Sequence, residues 1–163
     1  MSWLAPVVQE LVKSDETVLD LGCGLCAPTK TLKCKGMLHC DGFEKYLDQV
    51  KKDVMVCQVD LRSLLPFPND SYDVVLLLDV IEHLYKEEAR FALLEAERVA
   101  RKRVIVYTPN GFVKQEHDAW NLGGAVWQQH RCGFTLKELE DLGYAAKMIP
   151  PDNNILAVKV IVQ

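Results

Sequence analysis

The sequence contains no apolar run that approaches the ~20 residues needed to cross a membrane, and we expect no membrane association. It also lacks an excess of positive charge, because 23 acidic residues outnumber 19 basic ones and the formal net charge is −4. A broad electrostatic contact with nucleic acid is therefore not expected. The stretch from Met1 to Glu10 has no basic lead-in of the kind that opens a signal peptide, so we expect a cytoplasmic location.

The spacing of the cysteines does not complete a zinc site. Among six cysteines, Cys23 and Cys26 match Cys-x-x-Cys, and no second pair follows to supply two more thiolates. The six lie mostly among apolar neighbours, and we expect them to be reduced and buried. We therefore predict neither a metal site nor a redox role for Cys23 and Cys26.

Repeats, low-complexity tracts and linkers are also missing from the sequence. Its 163 residues, of which 49% are hydrophobic, suffice for one well-packed core but hardly for two. We expect a single domain over residues 1–163, with a helix within residues 1–15. Apolar residues at helical spacing between Trp3 and Val12 indicate this helix.

What the sequence does contain is an alternation of strand-like and helix-like segments. Residues 73–79 form an apolar run between two acids, which is typical of a central parallel strand covered by helices on both faces. The last two strand-like segments are joined by a tight turn, which favours antiparallel pairing. The pattern predicts a doubly wound α/β sheet. The predicted strands are 18–21, 37–43, 54–59, 73–79, 103–108, 144–149 and 155–162, and the later predicted helices are 29–35, 45–52, 80–102 and 135–142.

Acidic residues stand at the ends of the first four predicted strands. Asp20 ends the first strand and precedes the glycine turn Gly22–Gly24, and Glu44, Asp60 and Asp79 end or follow the next three. In an open parallel sheet, ligands bind beyond the carboxyl ends of the strands. The acids therefore predict one shared site, and the glycines permit a ligand to approach the backbone closely.

Two cofactors carry an adenosine that fits such a site. Gly22-x-Gly24-x-x-Ala27 matches the dinucleotide pattern of a nicotinamide-dependent oxidoreductase, but the nearby acids would repel a pyrophosphate. S-adenosylmethionine carries a sulfonium and an ammonium group and no phosphate, so acids attract it. For either adenosine, Glu44 can accept hydrogen bonds from the ribose hydroxyls and Asp60 from the adenine amine.

Five segments in this order resemble a class I S-adenosylmethionine-dependent methyltransferase of the methyltransferase domain 11 type. The segments are Val18–Gly24, Glu44, Val59–Leu61, Phe67–Val75 and Asp79–Leu84, within about residues 16–108. The resemblance implies an α/β fold, specifically a Rossmann-like three-layer sandwich with a mostly parallel seven-stranded sheet whose last strand is antiparallel. It also implies S-adenosylmethionine as the cofactor and a methyltransferase activity, with methyl transfer by in-line displacement.

The resemblance further implies the role of each candidate cofactor-binding residue. Gly22 and Gly24, with Cys23 between them, would contact the methionine part, and Asp20 would orient its ammonium group. The other roles fall on residues at strand ends: Glu44 for the ribose, Asp60 and Leu61 for the adenine, and Asp79 for the side of the sulfonium.

Two histidines are the candidate catalytic bases for an oxygen or nitrogen acceptor. His83 either accepts a proton in the cofactor crevice or braces its turn, and His130 lies in a later loop.

Asp79-x-x-Glu82-His83 is similar to the Glu-x-x-Glu-His metal motif of ubiquinone-type O-methyltransferases and some RNA 2′-O-methyltransferases. Because the first acid is Asp, and because Glu-His also occurs in metal-free relatives, we favour a site without metal.

Residues 109–134 carry little helical or strand signal and are predicted to form a lid over the substrate. Trp120 and Trp127 in this segment either wall an apolar acceptor or anchor the loop on the core.

We expect a small-molecule substrate and no nucleic-acid partner. The open alternatives are a protein or RNA methyltransferase, and a non-catalytic protein that binds the cofactor in the same fold.

Overall fold

The computed structural model describes residues 3–150 and 153–162, which fold around one seven-stranded sheet. Its strands are β1 (Thr17–Leu21), β2 (Gly36–Asp41), β3 (Val56–Gln58), β4 (Tyr72–Leu78), β5 (Ala100–Pro109), β6 (Ala145–Ile149) and β7 (Asn154–Val160). The strand order is β3-β2-β1-β4-β5-β7-β6. Strands β1 to β5 run parallel, whereas β7 pairs antiparallel with both β5 and β6. The α/β fold with a reversed last strand is confirmed.

The described residues form five α-helices, of which the first lies within the segment predicted to be helical at the start of the chain. They are α1 (Leu4–Gln9), α2 (Glu44–Val50), α3 (Lys86–Val99), α4 (Ala125–Gln128) and α5 (Leu136–Asp141). Residues 1 and 2 lie outside the described part of the chain. No helix in the described part is both long and apolar enough to span a bilayer.

The predicted helix over residues 29–35 is wrong. The segment forms hydrogen-bonded turns, in which the N–H of Thr29 donates to Cys26 O at 3.1 Å. The N–H of Lys35 donates to Glu16 O at 2.8 Å, and this bond draws the chain back to the sheet where β2 begins. The connection between the glycine turn and β2 therefore consists of turns and contains no regular helix.

The predicted helix over residues 80–102 is interrupted. A single 3₁₀ turn spans Ile81–His83, and Leu84 is extended. Helix α3 starts afterwards, where the Glu88 carboxylate accepts a hydrogen bond from the N–H of Tyr85 at 2.9 Å and satisfies one free donor of the first turn. The break places residues 81–83 just beyond the carboxyl end of β4, before α3 begins.

Strand β4 is the centre of a three-layer core. Its alternate residues point to opposite faces of the sheet, as a strand requires. Val75 and Leu77 belong to the cluster that includes α3, and Val74 and Leu76 belong to the cluster that includes α1. All four are fully buried. The apolar run in β4 is unbroken because helices cover both faces of the sheet at this strand.

A group of ion pairs closes the sheet at the end where β1 begins. The buried Glu16 carboxylate accepts a hydrogen bond from the N–H of Lys13 at 2.9 Å and pairs with the Arg103 guanidinium. Lys102 lies 3.4 Å from Glu16 and 3.2 Å from Asp73 and so links the two carboxylates. Burial raises the pKa of Glu16, but the Lys13 amide and Arg103 outweigh burial and leave this pKa below its ordinary value.

We expect Glu16→Gln to lower the free energy of unfolding at pH 7 by about 2 kcal/mol, because Arg103 loses its charged partner in a nearly dry site. Urea unfolding followed by circular dichroism measures the difference, with exposed Glu10→Gln as the control. A carboxylate whose pKa is lowered by folding stabilises the protein above its unfolded pKa, and this contribution disappears as the pH falls through the folded pKa. The difference in unfolding free energy between wild type and Glu16→Gln should therefore disappear in acid. Equal stability of the two proteins at pH 7 would contradict the stabilising role given to the Glu16–Arg103 pair.

Candidate active site

A cavity of about 750 Å³ lies at the carboxyl ends of β1, β2 and β4 and beneath the loop of residues 110–134. This is where the sequence places the site, since ligands of open parallel sheets bind beyond these strand ends. The predicted site residues that line the cavity are Asp20, Gly22, Cys23, Gly24, Asp60, Leu61, Asp79, His83 and His130. Nine of the ten predicted positions thus lie on one cavity, and the exception is Glu44.

The glycine turn forms the floor of the cavity from backbone alone. Gly22 has φ of +73° and Gly24 has φ of +52°, a left-handed conformation that glycine adopts without strain. A Cβ on Gly22 would lie 2.6 Å from a methyl group of Val80, and a Cβ on Gly24 would overlap the ring of Trp120. Neither position therefore accepts a side chain, so bare backbone lines this part of the cavity.

Hydrogen bonds from β2 hold this turn in place. The carbonyl oxygen of Cys40 accepts from the N–H groups of Gly22 and Cys23, at 2.7 and 2.9 Å. The Asp41 Oδ2 accepts from the N–H of Gly24 at 2.9 Å. The end of β2 thus fixes all three residues of the turn.

Asp20 is buried and already has two partners. Its Oδ2 accepts from Thr29 Oγ1 at 2.6 Å and lies 2.8 Å from His39 Nδ1. Burial lowers the pKa of His39, but Asp20 and the sulfur of Cys26 outweigh burial and raise it to about 9. At neutral pH, an imidazolium therefore balances the Asp20 carboxylate beside the cavity.

The acid at the end of the second strand is Asp41 and not Glu44, which is a correction to the sequence analysis. Strand β2 ends at Asp41, two residues earlier than predicted, and Glu44 is exposed in the first turn of α2, outside the cavity lining. Asp41 lines the cavity, and its carboxylate accepts from the N–H groups of Gly24 and Phe43. The apolar segment 37–40, which stops at this acid and is followed by Gly42, is the signal that could have identified it.

Asp60 follows β3 and lies in an ion pair that the sequence analysis missed. The Arg62 guanidinium donates to both carboxylate oxygens, with Nε 2.8 Å from Oδ1 and Nη2 2.7 Å from Oδ2. Arg62 lowers the pKa of Asp60 and also lies over the ring of Trp127, 5.1 Å from its centre. Leu61 is buried next to this pair and gives the cavity an apolar patch. Asp60 is thus a neutralised carboxylate with lone pairs left for a ligand.

Asp79 and Glu82 bring two carboxyl groups together after β4. Asp79 has φ of +55°, which is unusual for a residue with a side chain and turns the chain sharply at the strand end. Glu82 is buried and accepts from Thr108 Oγ1 at 2.9 Å. Burial and the neighbouring Asp79 carboxyl hold the pKa of Glu82 well above its ordinary value. The pair therefore retains a proton more readily than two separate acids would.

His83 and His130 meet at the same side of the cavity. Their ring centres are 4.9 Å apart, and His130 Nδ1 lies 2.6 Å from the carbonyl oxygen of Val113. His83 Nδ1 is buried and has no hydrogen-bond partner among the described residues. Burial and the nearby His130 lower the pKa of His83 to about 4, and burial lowers the pKa of His130 as well. One ligand-type atom each from Glu82, His83 and His130 lies within 4.8 Å of the other two.

The tryptophans of the loop lie on the cavity and not on the core beneath the sheet. Trp120 covers Gly24 and meets the ring of Tyr46 edge-on at 4.7 Å. Trp127 lies beside Gly42, and its ring stacks near Phe43 with centres 6.2 Å apart. Both indoles thus cover the backbone at the ends of β1 and β2.

A single carboxylate organises the loop that carries these rings. Asp118 accepts hydrogen bonds from the N–H groups of Trp120, Leu122 and Gly124, at 2.9, 2.6 and 2.9 Å. Its Oδ1 also lies 3.1 Å from the hydroxyl of Tyr46, which ties the loop to α2. The segment is therefore an ordered cover with the short helix α4, although its sequence shows little regular structure.

Several solved structures share this fold. A protein of Pyrococcus horikoshii superposes with a TM-score of 0.74 and 18% identity, over 98% of this chain and 88% of that one. The methyltransferase domain of a bacterial CtHen1 superposes with a TM-score of 0.71 and 22% identity, over 99% and 98%. Magnesium protoporphyrin IX methyltransferase from Synechocystis PCC 6803, solved with bound SAH, gives 0.68 and 20%, over 99% and 81%. At these identities the likeness shows the fold.

Family membership comes from the sequence itself. No curated protein matches the sequence significantly. The family model described as methyltransferase domain matches residues 19–108, which is more than half of the chain and includes the end of β1, the glycine turn, β2 to β4, Asp79 and His83. With the sheet order and the cavity at its strand ends, this match identifies the chain as a class I S-adenosylmethionine-dependent methyltransferase of the methyltransferase domain 11 family.

Proposed function

We propose that this enzyme methylates a small-molecule acceptor held in the cavity between the glycine turn and the histidine pair His83 and His130. The observation that carries this proposal is the cavity itself. Its volume of about 750 Å³ falls in the range of small-ligand sites, and the loop of residues 110–134 covers it. A folded protein or an RNA duplex would need a wider and more open approach, and the net charge of −4 does not favour RNA.

The cofactor end of the cavity has the donors and acceptors that S-adenosylmethionine needs. The turn of Gly22, Cys23 and Gly24 would hold the methionine part, and the Asp20 carboxylate would attract its ammonium group. Asp41 takes the ribose role that the sequence analysis assigned to Glu44, because it is the carboxylate at the end of β2. Asp60 and Leu61 suit the adenine and Asp79 the sulfonium side, since all three line the same cavity.

The bound cofactor supplies an electrophilic methyl group, and the protein supplies alignment and protection from water. His83 is neutral at physiological pH, because burial keeps its pKa near 4, and a neutral imidazole can accept a hydrogen bond from the acceptor. As a base it is weak, so His83 and His130 are proposed to orient the nucleophile and to take its proton only as the new bond forms. Trp120 and Trp127 cover the cofactor end of the cavity, at the ends of β1 and β2, and exclude water there.

Two alternatives to a small-molecule methyltransferase predict different results in a methylation assay. The fold by itself does not fix the acceptor, so methylation of RNA or protein stays open at the level of fold. A non-catalytic protein that binds the cofactor would retain the glycine turn but would transfer no methyl group. Incubation with methyl-labelled S-adenosylmethionine and a fractionated cell extract separates these cases, because the label enters the small-molecule, RNA or protein fraction, or none of them.

The cofactor assignment predicts that Asp41→Asn weakens the binding of S-adenosylhomocysteine about ten- to a hundredfold, because a charge-assisted acceptor for the ribose hydroxyls is lost. Glu44→Gln is the matched control, since Glu44 is exposed and lies outside the cavity lining. Its affinity should equal that of wild type. Isothermal titration calorimetry measures both variants.

The same titration with NAD tests the oxidoreductase alternative, and we expect no binding. A loss of affinity in Glu44→Gln but not in Asp41→Asn would return the ribose role to Glu44. Labelled methyl transfer to small molecules by wild type, reduced in Asp41→Asn at low cofactor concentration, would support the proposed reaction. Transfer confined to RNA or protein would contradict it.

A site without metal predicts that equilibrium dialysis against Mg²⁺, Mn²⁺ or Zn²⁺ shows no uptake by the reduced protein beyond that of Glu82→Gln. The physical reason is that the Glu82 carboxyl is buried and hydrogen-bonded to Thr108 and keeps its proton, which a cation would first have to displace. One equivalent of metal held by wild type and lost in Glu82→Gln would favour the metal-dependent alternative.

The lid assignment predicts that S-adenosylhomocysteine changes the intrinsic fluorescence of the protein, because Trp120 lies on the glycine whose backbone the cofactor would contact. The change should be strongly reduced in Trp120→Phe. It should persist in Trp3→Phe, since Trp3 packs against Tyr107 with ring centres 5.8 Å apart, away from the loop. An unchanged signal in Trp120→Phe would contradict the place given to Trp120 over the cofactor site.

A further inference from the structure

Two thiols of the cofactor turn lie close together beside a charged histidine. The sulfur atoms of Cys23 and Cys26 and a ring nitrogen of His39 all lie within 4.8 Å of one another. Cys23 lines the cavity, whereas Cys26 is fully buried. The sequence analysis expected no redox role for the pair, because the spacing alone could not place His39 beside it.

The backbone brings the two cysteines within the span of a disulfide. The N–H of Cys26 donates to Cys23 O at 2.7 Å and closes a tight turn. Turns of this kind keep the first and last Cα atoms within about 7 Å, close to the range of roughly 4.4–6.8 Å that a disulfide requires. Cys26 also has φ of +55°, a left-handed conformation that is rare outside glycine and that often marks a functional position. Rotation about the side-chain bonds can bring the sulfurs together.

Charge distinguishes this pair from the other thiols of the chain. Asp20 lies 2.8 Å from His39 Nδ1 and keeps the imidazole protonated beside the sulfurs. The hydrogen bond with Cys23, followed by His39, lowers the pKa of Cys26 to about 6, and the same hydrogen bond raises the pKa of Cys23. The pair therefore shares one proton and carries one negative charge at neutral pH. By contrast, burial raises the pKa of Cys40 well above its ordinary value.

We propose that Cys23 and Cys26 form a reversible disulfide when a hydroperoxide enters the cofactor cavity, and that this disulfide disables the cofactor turn. The shared proton first passes from Cys23 to Cys26, and the Cys23 sulfur, which lines the cavity, then attacks a peroxide oxygen. The O–O bond breaks, and the alkoxide takes up a proton from solvent and leaves as an alcohol. The Cys26 sulfur then attacks the Cys23 sulfenic acid, and its proton leaves with the hydroxyl group as water. The dithiol loses two electrons, and the hydroperoxide gains them.

The link to the cofactor rests on the proposed function and follows from the position of Cys23. It stands between Gly22 and Gly24, where contacts with Val80 and Trp120 leave no free space. Its N–H donates to Cys40 O, and its sulfur lies 3.6 Å from Gly24 O. Drawing this sulfur to about 2.05 Å from that of Cys26 moves the turn that would receive the methionine part.

Peptide mapping tests the disulfide directly. Trypsin cleaves after Lys13 and Lys30 and yields one peptide that carries Cys23 and Cys26 and no other cysteine. Reduced protein, freed of reductant in the presence of EDTA, is treated with tert-butyl hydroperoxide, blocked with N-ethylmaleimide and digested. We expect this peptide to lose two hydrogens, to escape alkylation and to return to the alkylatable form after dithiothreitol. Full alkylation of the peptide after oxidation would overturn the proposal.

The chain contains its own comparison pair. Cys40 and Cys57 face each other in register on β2 and β3, and without a neighbouring imidazolium they should oxidise more slowly. Equal or faster loss of these two thiols would overturn the role given to His39. His39→Gln should slow the formation of the Cys23–Cys26 disulfide about tenfold or more at pH 7, because the thiolate fraction falls. Cys57→Ser should leave the rate unchanged.

A second variant keeps the test independent of whether His39→Gln folds. Cys26→Ser, which changes one atom of a side chain, should give a Cys23 sulfenic acid that dimedone traps, with no disulfide. Calorimetry then compares oxidised and reduced wild type, and we expect S-adenosylhomocysteine to bind the oxidised form about tenfold more weakly, with recovery after reduction. If oxidised and reduced proteins bind it equally, the effect on the cofactor turn is wrong. If the reduced protein does not bind it, the cofactor assignment fails and the peptide mapping still stands.

Discussion

The site depends on the way in which the end of β2 holds the glycine turn after β1. One carbonyl oxygen, that of Cys40, accepts from two consecutive N–H groups, and the Asp41 carboxylate accepts from a third. Parallel pairing of β1 and β2 in register makes this possible, because Leu21 and Cys40 lie opposite each other where the strands end. Since the turn consists of left-handed glycines packed against Val80 and the loop, its position is set by its bonds to the Cys40 carbonyl and the Asp41 carboxylate. A rigid floor of this kind supports methyl transfer, where alignment supplies much of the rate.

The acids around this floor do not act as one uniform negative rim. Asp20 is balanced by His39, and Asp60 is held by Arg62. Asp41 accepts from backbone N–H groups, and burial together with Asp79 keeps the proton on Glu82. Each carboxyl group thus has its own partner, which makes its burial tolerable and fixes its direction. The cavity attracts a cation through oriented lone pairs more than through net charge, and the same local pairing places an imidazolium beside the Cys23 and Cys26 thiols.

The strands were predictable because the residues of each strand form a local pattern that specifies it. The run of residues 74–78 is apolar throughout since helices cover both faces of β4, and the antiparallel pair β6 and β7 follows from two short segments that lie close together in the sequence. The helix over residues 29–35 failed because a hydrogen bond from Lys35 to Glu16 returns the chain to the sheet before a helix can form. Glu44 has the expected distance in sequence from the glycines, but the strand itself stops at Asp41, so Glu44 lies outside the cavity lining. An error of two residues at a strand end exchanges one carboxylate for another.

By itself, the sequence determined the fold family, the glycine turn and most of the carboxylates, since short-range patterns of apolar residues, glycines and acids specify the strands and the turns at their ends. Only the tertiary structure decided which groups distant in the sequence meet: His39 with Asp20 and Cys26, His83 with His130, and Trp120 with Gly24. These pairs join neighbouring strands and the turns at their ends, or those turns and the loop. Their distances arise from strand register and loop packing, which no local pattern encodes.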